Sequence, residues 1–330
     1  MGLILCGIFC PFVIKNAYEC HYLPAEAELE ADPAQTGPVV VDATGLANAV
    51  FINASNAIVN GLTLENANDA GLLAVGQGAL TNLLIENNTV QNNAQVKPPA
   101  NIGDWEALHV MGVQHSVIVN NVVKDNGDGG LCLTDETTAN EYNVVEGNIV
   151  EDNAVDCGIT LAGHVAGHGI LYDTIVDNTS EGNAAAGVLM ATAVPGDSVS
   201  NNLVEGNTIS GNGDGGVTVH THAPGSTVAN NVIVDNTIGT NGNPDLVQNV
   251  GVILLASGSP ITGTMIANNS ISDDYYGIFE SPWLTPGTEV MGNTFSHNIY
   301  NDPSWVTYSV FVNPMGELYG LLRSPNWANA

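Results

Sequence analysis

The stretch LVEGNTISGNGDGGVTVH, residues 203–220, contains the pattern that decides the fold. Two short runs of strand-forming residues end at Asn207 and Asn212, and a Gly-rich turn then leads into Val217, Thr218 and Val219. β-Branched residues favour extended strands, whereas Asn and Gly tolerate sharp turns. The stretch therefore predicts short strands separated by tight turns.

The same pattern recurs along most of the chain. It appears as LIENNTVQNN, VVEGNIVEDNAVDCGITL, IVDNTSEGNAAAGVLM and VIVDNTIGTN, with spacings between equivalent positions of 24 to 33 residues. Leucine-rich repeats have a similar length, but their leucine pattern and helical segment are missing. A repeat of this length without helical periodicity predicts a solenoid whose coils of short strands stack about 4.8 Å apart.

Two rows of polar residues mark equivalent turns of the repeat. We align the first row at Gly61, Asn88, Asn121, Asn148, Asn178, Asn207, Asn236, Asn269 and Asn293. The second row follows five residues later at Asn66, Asn93, Asn126, Asn153, Asn183, Asn212, Asn241, Asp274 and Asn298. Because Asn tolerates the left-handed backbone region, we expect these residues at the turns themselves, with their amides hydrogen-bonded from coil to coil.

Alternation within the strands assigns side chains to the two faces. Residues three before and two after the first row are mostly β-branched, and we predict that they point inward. The middle residues of the Gly-initiated strands point outward and include an apolar set that we call the stripe: Leu73, Cys132, Leu189, Ile253 and Phe279. Such a stripe indicates either a face covered by another segment of the same chain or a face that packs against another subunit. His109 also lies at an outward position, and we expect it to be a lone surface histidine.

The charge balance limits the possible partners. The chain has 34 Asp plus Glu against 4 Lys plus Arg, giving a formal net charge of −30. Attraction to phosphate depends on clustered basic residues, so nucleic acid is excluded as a partner. The acidity is consistent with solubility, including solubility in high salt, or with Ca²⁺ binding.

The repeat divides the chain into a solenoid over residues 37–300 and two irregular ends. Residues 1–36 contain an apolar run at 2–14 that is too short to cross a bilayer, so we predict no transmembrane helix. We expect this segment to be a cap or interface, with a non-standard secretion signal as the alternative. The tail, 301–330, is expected to be a second cap or interface.

These repeats make the chain resemble the right-handed parallel β-helix proteins of the pectate-lyase-like superfamily, especially the β-helix repeats of the periplasmic copper-maturation type. The resemblance covers residues 37–300 and implies an all-β, right-handed parallel β-helix of about nine coils with irregular capping ends. Because this fold carries lyases, hydrolases, epimerases, esterases and non-catalytic binders, the resemblance does not decide the function.

Stacking of the repeats identifies a candidate site. Counting beyond the Gly-initiated strands places Glu136, His164, Ala193 and His222 in register on successive coils, with His220 and Asp135 beside that row. His168 lies near enough in sequence to fold back onto it. A carboxylate with imidazoles suits acid–base catalysis by Glu136, His164, His168 and His222, or a metal site of Glu136, His164, His220 and His222 that holds Ca²⁺ or a transition metal. The alternative is that these are solvated loop residues.

Two functions follow from these observations. The first is a non-catalytic extracellular or cell-surface protein that self-associates into a homo-oligomer or filament. The second is a glycan-binding, carbohydrate-active hydrolase or a metal-binding accessory protein that uses Glu136 and the nearby histidines. The superfamily's polysaccharide lyases use a Lys or Arg base, and none occurs between residues 125 and 322, so an enzyme here would be a glycoside hydrolase.

Overall fold

A computed structural model describes residues 21–23, 27–32, 34, 36–95, 106–242, 249–280 and 285–298. All regular elements in these ranges are strands, and all the strand pairs are parallel. The structure is a β-solenoid, so the predicted fold class and the prediction of about nine coils are confirmed. Of the segment 1–36 that is expected to be a cap or interface, residues 1–20 lie outside the described residues, as does the whole tail at 301–330.

Three parallel sheets run along the solenoid. The 15-stranded long sheet consists of His21–Leu23, Val50–Ile52, Leu72–Thr81, Leu108–Gln114, Leu131–Thr134, Asn140–Glu141, Ile159–Gly163, Ile170–Leu171, Val188–Thr192, Ser198–Ser200, Val217–Thr221, Thr227–Ala229, Val250–Ala256, Ile261–Thr262 and Tyr276–Glu280. The 10-stranded second sheet consists of Glu28–Glu30, Ile58–Asn60, Leu84–Glu86, Val117–Val119, Val144–Glu146, Thr174–Val176, Leu203–Glu205, Val232–Val234, Met265–Ala267 and Glu289–Met291. The 10-stranded third sheet consists of Val39–Asp42, Leu62–Glu65, Thr89–Gln91, Val122–Lys124, Ile149–Glu151, Thr179–Glu181, Thr208–Ser210, Thr237–Gly239, Ser270–Ser272 and Thr294–Ser296.

The long sheet divides into two arms. Leu72–Thr81 and Leu108–Gln114 are continuous, but from Leu131 onward each of the next five coils contributes two strands separated by a loop. We call these the fork loops, and they span residues 135–139, 164–169, 193–197, 222–226 and 257–260. The candidate site lies in them.

The core is built by the alternation read from the sequence. In the second sheet the middle residue of each three-residue strand points inward, and it is fully buried in all but the first and last strands, as at Ile118, Val145 and Ile175. Val123 and Ile209 do the same in the third sheet. Each such side chain contributes about 1.5–3 kcal/mol through burial.

Both predicted Asn rows form hydrogen-bonded ladders, which are buried except at their ends. The side-chain oxygen of Asn148 accepts from the backbone N–H and the side-chain amide of Asn121, each at 2.9 Å, and the Asn148 amide donates to the oxygen of Asn178 at 2.9 Å. The same pattern continues through the second row, for example from Asn153 to Asn183 at 2.8 Å. A ladder residue inside the row therefore accepts hydrogen bonds from the preceding coil and donates one to the next.

The turn itself was predicted one residue too late. The left-handed residues are those before the ladder positions, such as Asn87, Asn120, Gly147 and Asp177, and the buried ladder Asn residues that follow them do not have positive φ. In the earliest coil the alignment also shifts by one, since the N–H groups that reach Asn88 and Asn93 belong to Leu62 and Ala67 rather than to Gly61 and Asn66.

A third ladder separates the long sheet from the second sheet, and the sequence analysis missed it. Its hydrogen bonds run from Ser116 through Asn143, Asp173 and Asn202 to Asn231. The residues that precede it, including His115, Tyr142 and Tyr172, have positive φ values of 51°, 58° and 60°. Within the described residues, no helix is long and apolar enough to cross a membrane.

Candidate functional site

The register of the long sheet gives the predicted row its geometry. Thr134 pairs with Ala162, Gly163 pairs with Thr192, and Thr192 pairs with Thr221. Continuing these pairings into the fork loops places Glu136, His164, Ala193 and His222 at equivalent positions of four coils. The row therefore exists, with an alanine between its two histidines.

Glu136 and His164 are in direct contact. The Nδ1 atom of His164 lies 2.7 Å from Oε1 of Glu136, and the two side chains are 20% and 35% exposed. The other carboxylate oxygen of Glu136 accepts a hydrogen bond from the Thr134 hydroxyl. This pair is the most accessible group of ionisable side chains in the row.

His109 is buried, so the expectation that it is a lone surface histidine is wrong. Its side chain is 2% exposed, and its Nε2 lies 3.0 Å from the Thr134 hydroxyl oxygen. Burial lowers the pKa of His109 to about 4, so the ring is neutral at pH 7. Since the Thr134 hydroxyl donates to Glu136, its oxygen accepts from His109, and one hydrogen-bonded chain links His109, Thr134, Glu136 and His164.

The ionisation of Glu136 follows from these contacts. Burial alone would raise the pKa of this carboxyl group, but hydrogen bonds from His164 and Thr134 and the nearby His109 lower it to about 2. Glu136 is therefore a carboxylate at neutral pH that can orient the imidazole of His164.

Two buried carboxyl groups lie beside the pair. Asp135 accepts the backbone N–H of His164 at 2.6 Å and that of Val165 at 3.1 Å, and burial raises its pKa. Asp197 packs against Gly163 and accepts the N–H of Ala193 at 3.2 Å. Burial, reinforced by the charge of Asp135, raises the pKa of Asp197 to about 7.

Each of these carboxyl groups keeps one oxygen without a hydrogen-bond partner among the described residues, Oδ2 of Asp135 and Oδ1 of Asp197. Sequence reasoning missed Asp197, because it lies four residues beyond the row position Ala193. The feature that could have identified Asp197 is its position in a fork loop, directly after VLMATAVPG and opposite Gly163 of the preceding coil.

The remaining predicted histidines separate into two places. His168 does fold back, with its Nδ1 atom 2.7 Å from the carbonyl oxygen of Asp135. His220 and His222 contact each other two coils beyond His164, with ring centroids 3.7 Å apart, and His220 also contacts Ser257 at 3.0 Å. Burial lowers the pKa of both rings. The neighbouring His222 lowers the pKa of His220 further, and His164 does the same for His222.

The predicted metal ligands thus form two pairs, Glu136 with His164 and His220 with His222. Among the residues that the structure describes, no three His, Cys, Asp or Glu side chains are grouped so that they could hold a metal ion. Glu136 and His164 form a carboxylate–imidazole pair, and the buried carboxyl groups of Asp135 and Asp197 lie beside it.

The stripe lies inside the single chain over most of its length. Cys132, Leu189, Ile253 and Phe279 are 1–3% exposed, and only Leu73 is partly exposed. Leu189 packs with Cys157 and with the alanines at 185, 186 and 191, and Ile253 packs with Phe279, Val250 and Tyr276. Of the two alternatives read from the sequence, this burial favours cover by the same chain.

Two family models match the sequence. The one described as "Right handed beta helix region" matches residues 43–233, and the one described as "Periplasmic copper-binding protein (NosD)" matches residues 169–310. No curated protein sequence is significantly similar to the chain.

Solved structures share the fold at low sequence identity. A double mutant of the tailspike protein of E. coli bacteriophage HK620 is 12% identical with a TM-score of 0.57, and the same tailspike in complex with a pentasaccharide is 12% identical with a TM-score of 0.56. Both alignments cover 83% of this chain and 48% of the tailspike, so the chain spans about half the length of that protein. The A-module of the mannuronan C-5 epimerase AlgE4 of Azotobacter vinelandii is 15% identical with a TM-score of 0.39, covering 85% of this chain and 88% of that one.

Proposed function

The chain belongs to the right-handed β-helix family, and within that fold we propose that it acts outside the cytoplasm as a glycan hydrolase whose proton-transferring residue is His164. The contact between Nδ1 of His164 and the carboxylate of Glu136 carries this proposal. A carboxylate that accepts the Nδ1 proton fixes the ring tautomer, and Nε2 then transfers the proton.

The proposed reaction is hydrolysis of a glycosidic bond. Water adds to the anomeric carbon while the bond to the leaving sugar oxygen breaks. The neutral imidazole of His164 takes a proton from the water as general base, the leaving oxygen takes its proton from solvent, and the imidazolium then releases its proton to solvent. Asp135 supports this role by holding the backbone of residues 164 and 165, so the imidazole sits on a fixed turn.

A glycan is the proposed substrate because the site lies on the side of a long solenoid, where a linear polymer can lie across successive coils. The tailspike that shares this fold was solved with a pentasaccharide, which supports the same ligand class here. The missing Lys and Arg in the central coils argue against lyase chemistry on this surface.

The test is product release from a panel of neutral oligosaccharides by the wild type, Glu136→Gln and His164→Asn. General acid–base groups contribute about 10²–10⁴-fold, so both variants should lose at least about 100-fold in rate. Glu146→Gln is the matched control, because it removes an exposed carboxylate from the second sheet. A wild type that releases no product, or a Glu136→Gln variant with the wild-type rate, would contradict the proposal.

End-to-end self-association is a second candidate, favoured by the last described coil. Val290 and Phe295 are partly exposed there, whereas the equivalent Ile266 and Ile271 one coil earlier are fully buried. Within the described residues no strand pairs with the outer edges of Glu289–Met291 and Thr294–Ser296, and an apolar rung at such an edge can stack on another copy.

Mass photometry and negative-stain electron microscopy test this candidate. The wild type should form oligomers or filaments, and Phe295→Ser should dissociate them because it removes an apolar side chain from the end of the solenoid. This variant should still fold, since Ser180 occupies the same inward position in another coil. Ile149→Ser is the control, because Ile149 is exposed on the side of the solenoid. A monomeric wild type would exclude self-association.

A further inference from the structure

Three aromatic rings project from the turn between the long sheet and the second sheet. The ring centroids of His115 and Tyr142 are 5.2 Å apart, those of Tyr142 and Tyr172 are 5.0 Å apart, and each pair is within 4° of parallel. All three side chains are exposed, with Tyr142 and Tyr172 each at 47%. We call this stack the aromatic shelf.

The fold does not require these aromatic residues. They occupy the left-handed position before the third ladder, where other coils have Asn56, Asn82, Asn201, Asn230 and Gly263. Bulky residues are disfavoured at positive φ, whereas Asn adopts it readily. Stacking of the rings offsets part of this conformational cost, but the two tyrosines remain exposed at positions where Asn would suit the backbone better. This departure from the local preference indicates that the exposed rings have a role at the surface.

The shelf ends in a ring face beside polar side chains. One face of the Tyr172 ring is covered by Tyr142. The equivalent position on the next coil is Asn201, so within the described part of the chain no aromatic ring stacks on the other face of Tyr172. Asn201 and Asn230 continue the row, with the Asn230 amide 3.4 Å from the Asn201 oxygen. The free face of the Tyr172 ring is therefore next to the side-chain amides of Asn201 and Asn230, which can both donate and accept hydrogen bonds.

We propose that Tyr172, Asn201 and Asn230 form a binding site for a neutral sugar ring of an oligosaccharide. The C–H groups of one sugar face stack on the electron-rich ring of Tyr172, and the hydroxyl groups bond to the amides. The net charge of −30 disfavours uronate and sulfated chains, which selects for an uncharged glycan. Tyr172 lies on the same coil as His164, after the fork loop and the strand Ile170–Leu171.

This inference rests on the proposed function only for the choice of a glycan, and binding does not require hydrolysis. The experiment is isothermal titration calorimetry of the full chain with cellopentaose, chitopentaose, maltopentaose and mannopentaose, and with trigalacturonate as the anionic comparison. At least one neutral oligosaccharide should bind, and more tightly than trigalacturonate.

Tyr172→Asn installs the residue that other coils carry, so it should fold, and it should weaken binding by about tenfold or more. Tyr172→Phe should keep the affinity because it keeps the ring. His115→Asn is the matched control, since it makes the same change at the opposite end of the shelf and should bind as the wild type does.

The inference is overturned if no neutral oligosaccharide binds, if Tyr172→Asn binds as tightly as the wild type, or if His115→Asn loses as much affinity as Tyr172→Asn. Glu136→Gln separates the two proposals. If Glu136→Gln still binds the oligosaccharide but no longer hydrolyses it, both the hydrolase function and the sugar-binding site are supported. If the wild type binds in a way that depends on Tyr172 but hydrolyses nothing, only the binding site is supported.

Discussion

The ladders show how one residue can link three successive coils. Asn148 is fully buried, accepts two hydrogen bonds from Asn121, and donates to the Ile118 carbonyl oxygen and to Asn178. Asp173 and Asp274 occupy ladder positions where the other coils mostly have Asn. Both keep an oxygen without a hydrogen-bond partner among the described residues.

Replacing Asn148 with Ala should be strongly destabilising. The backbone N–H and the side-chain amide of Asn121 would lose their acceptor in a buried site, at about 1–3 kcal/mol for each unsatisfied group. Chemical denaturation should show a loss of at least about 2 kcal/mol in the free energy of unfolding. Asn120→Gly is the control, because Gly147 and Gly206 occupy the equivalent left-handed turns, and a similar loss there would contradict a special role for the ladder.

Replacing Asp173 with Asn should remove a pH dependence of stability. Burial raises the pKa of Asp173 from an ordinary 3.8 to about 8, so the folded state binds this proton more tightly than the unfolded state. A raised carboxyl pKa makes the wild type lose stability as pH rises from about 4 to about 8, by up to about 1.4 kcal/mol per pH unit. Asp173→Asn should match the wild type near pH 4 and exceed it at pH 8.

Thermal unfolding between pH 4 and pH 8 measures this difference, with the exposed Asp177→Asn as the control. If the difference between Asp173→Asn and the wild type is the same at both ends of the range, the buried proton is not its cause. Asp274, whose pKa burial raises to about 7, should behave in the same direction.

At the scale of the strand, alternation determined most of what the sequence could predict. The inward rungs and both predicted ladders are confirmed, because a period of two fixes the face on which a side chain lies. It does not say what covers the outer face, so the buried His109 could not be recognised. The third ladder was missed because Ser116, Asn143, Asp173 and Asn202 differ in type, and Asp197 was missed because its role depends on a loop.

Two isoleucines of the third sheet test the alternation directly. Ile209 is fully buried in the middle of Thr208–Ser210, whereas Ile149, at the start of Ile149–Glu151, is 40% exposed. Ile209→Ala should cost about 2–5 kcal/mol in the free energy of unfolding, and Ile149→Ala should cost at most about 0.5 kcal/mol. Equal losses in urea denaturation would show that the outward residue packs as tightly as the inward one.

At the scale of the whole molecule, each coil contacts mainly its two neighbours, so stability is approximately a sum over coils and their interfaces. The register between neighbouring coils is then the global constraint, because a slip of one residue turns every side chain to the opposite face. Thr179 pairs with Thr208 and Asn178 bonds to Asn207, so residues 179–207 form one complete repeat of 29 residues.

Deleting residues 179–207 should leave a shorter solenoid that still folds. Asn178 would take the place of Asn207, accept from Asn148 and donate to Asn236, and the apolar rungs would remain in line. Deleting residues 179–206 removes only one residue fewer, yet it shifts the following strands by one position and drives their polar faces into the core. We expect a cooperative thermal transition with β-type circular dichroism for the first variant and an aggregated or unfolded chain for the second. Equal behaviour of the two deletions would mean that the stacked ladders do not set the register.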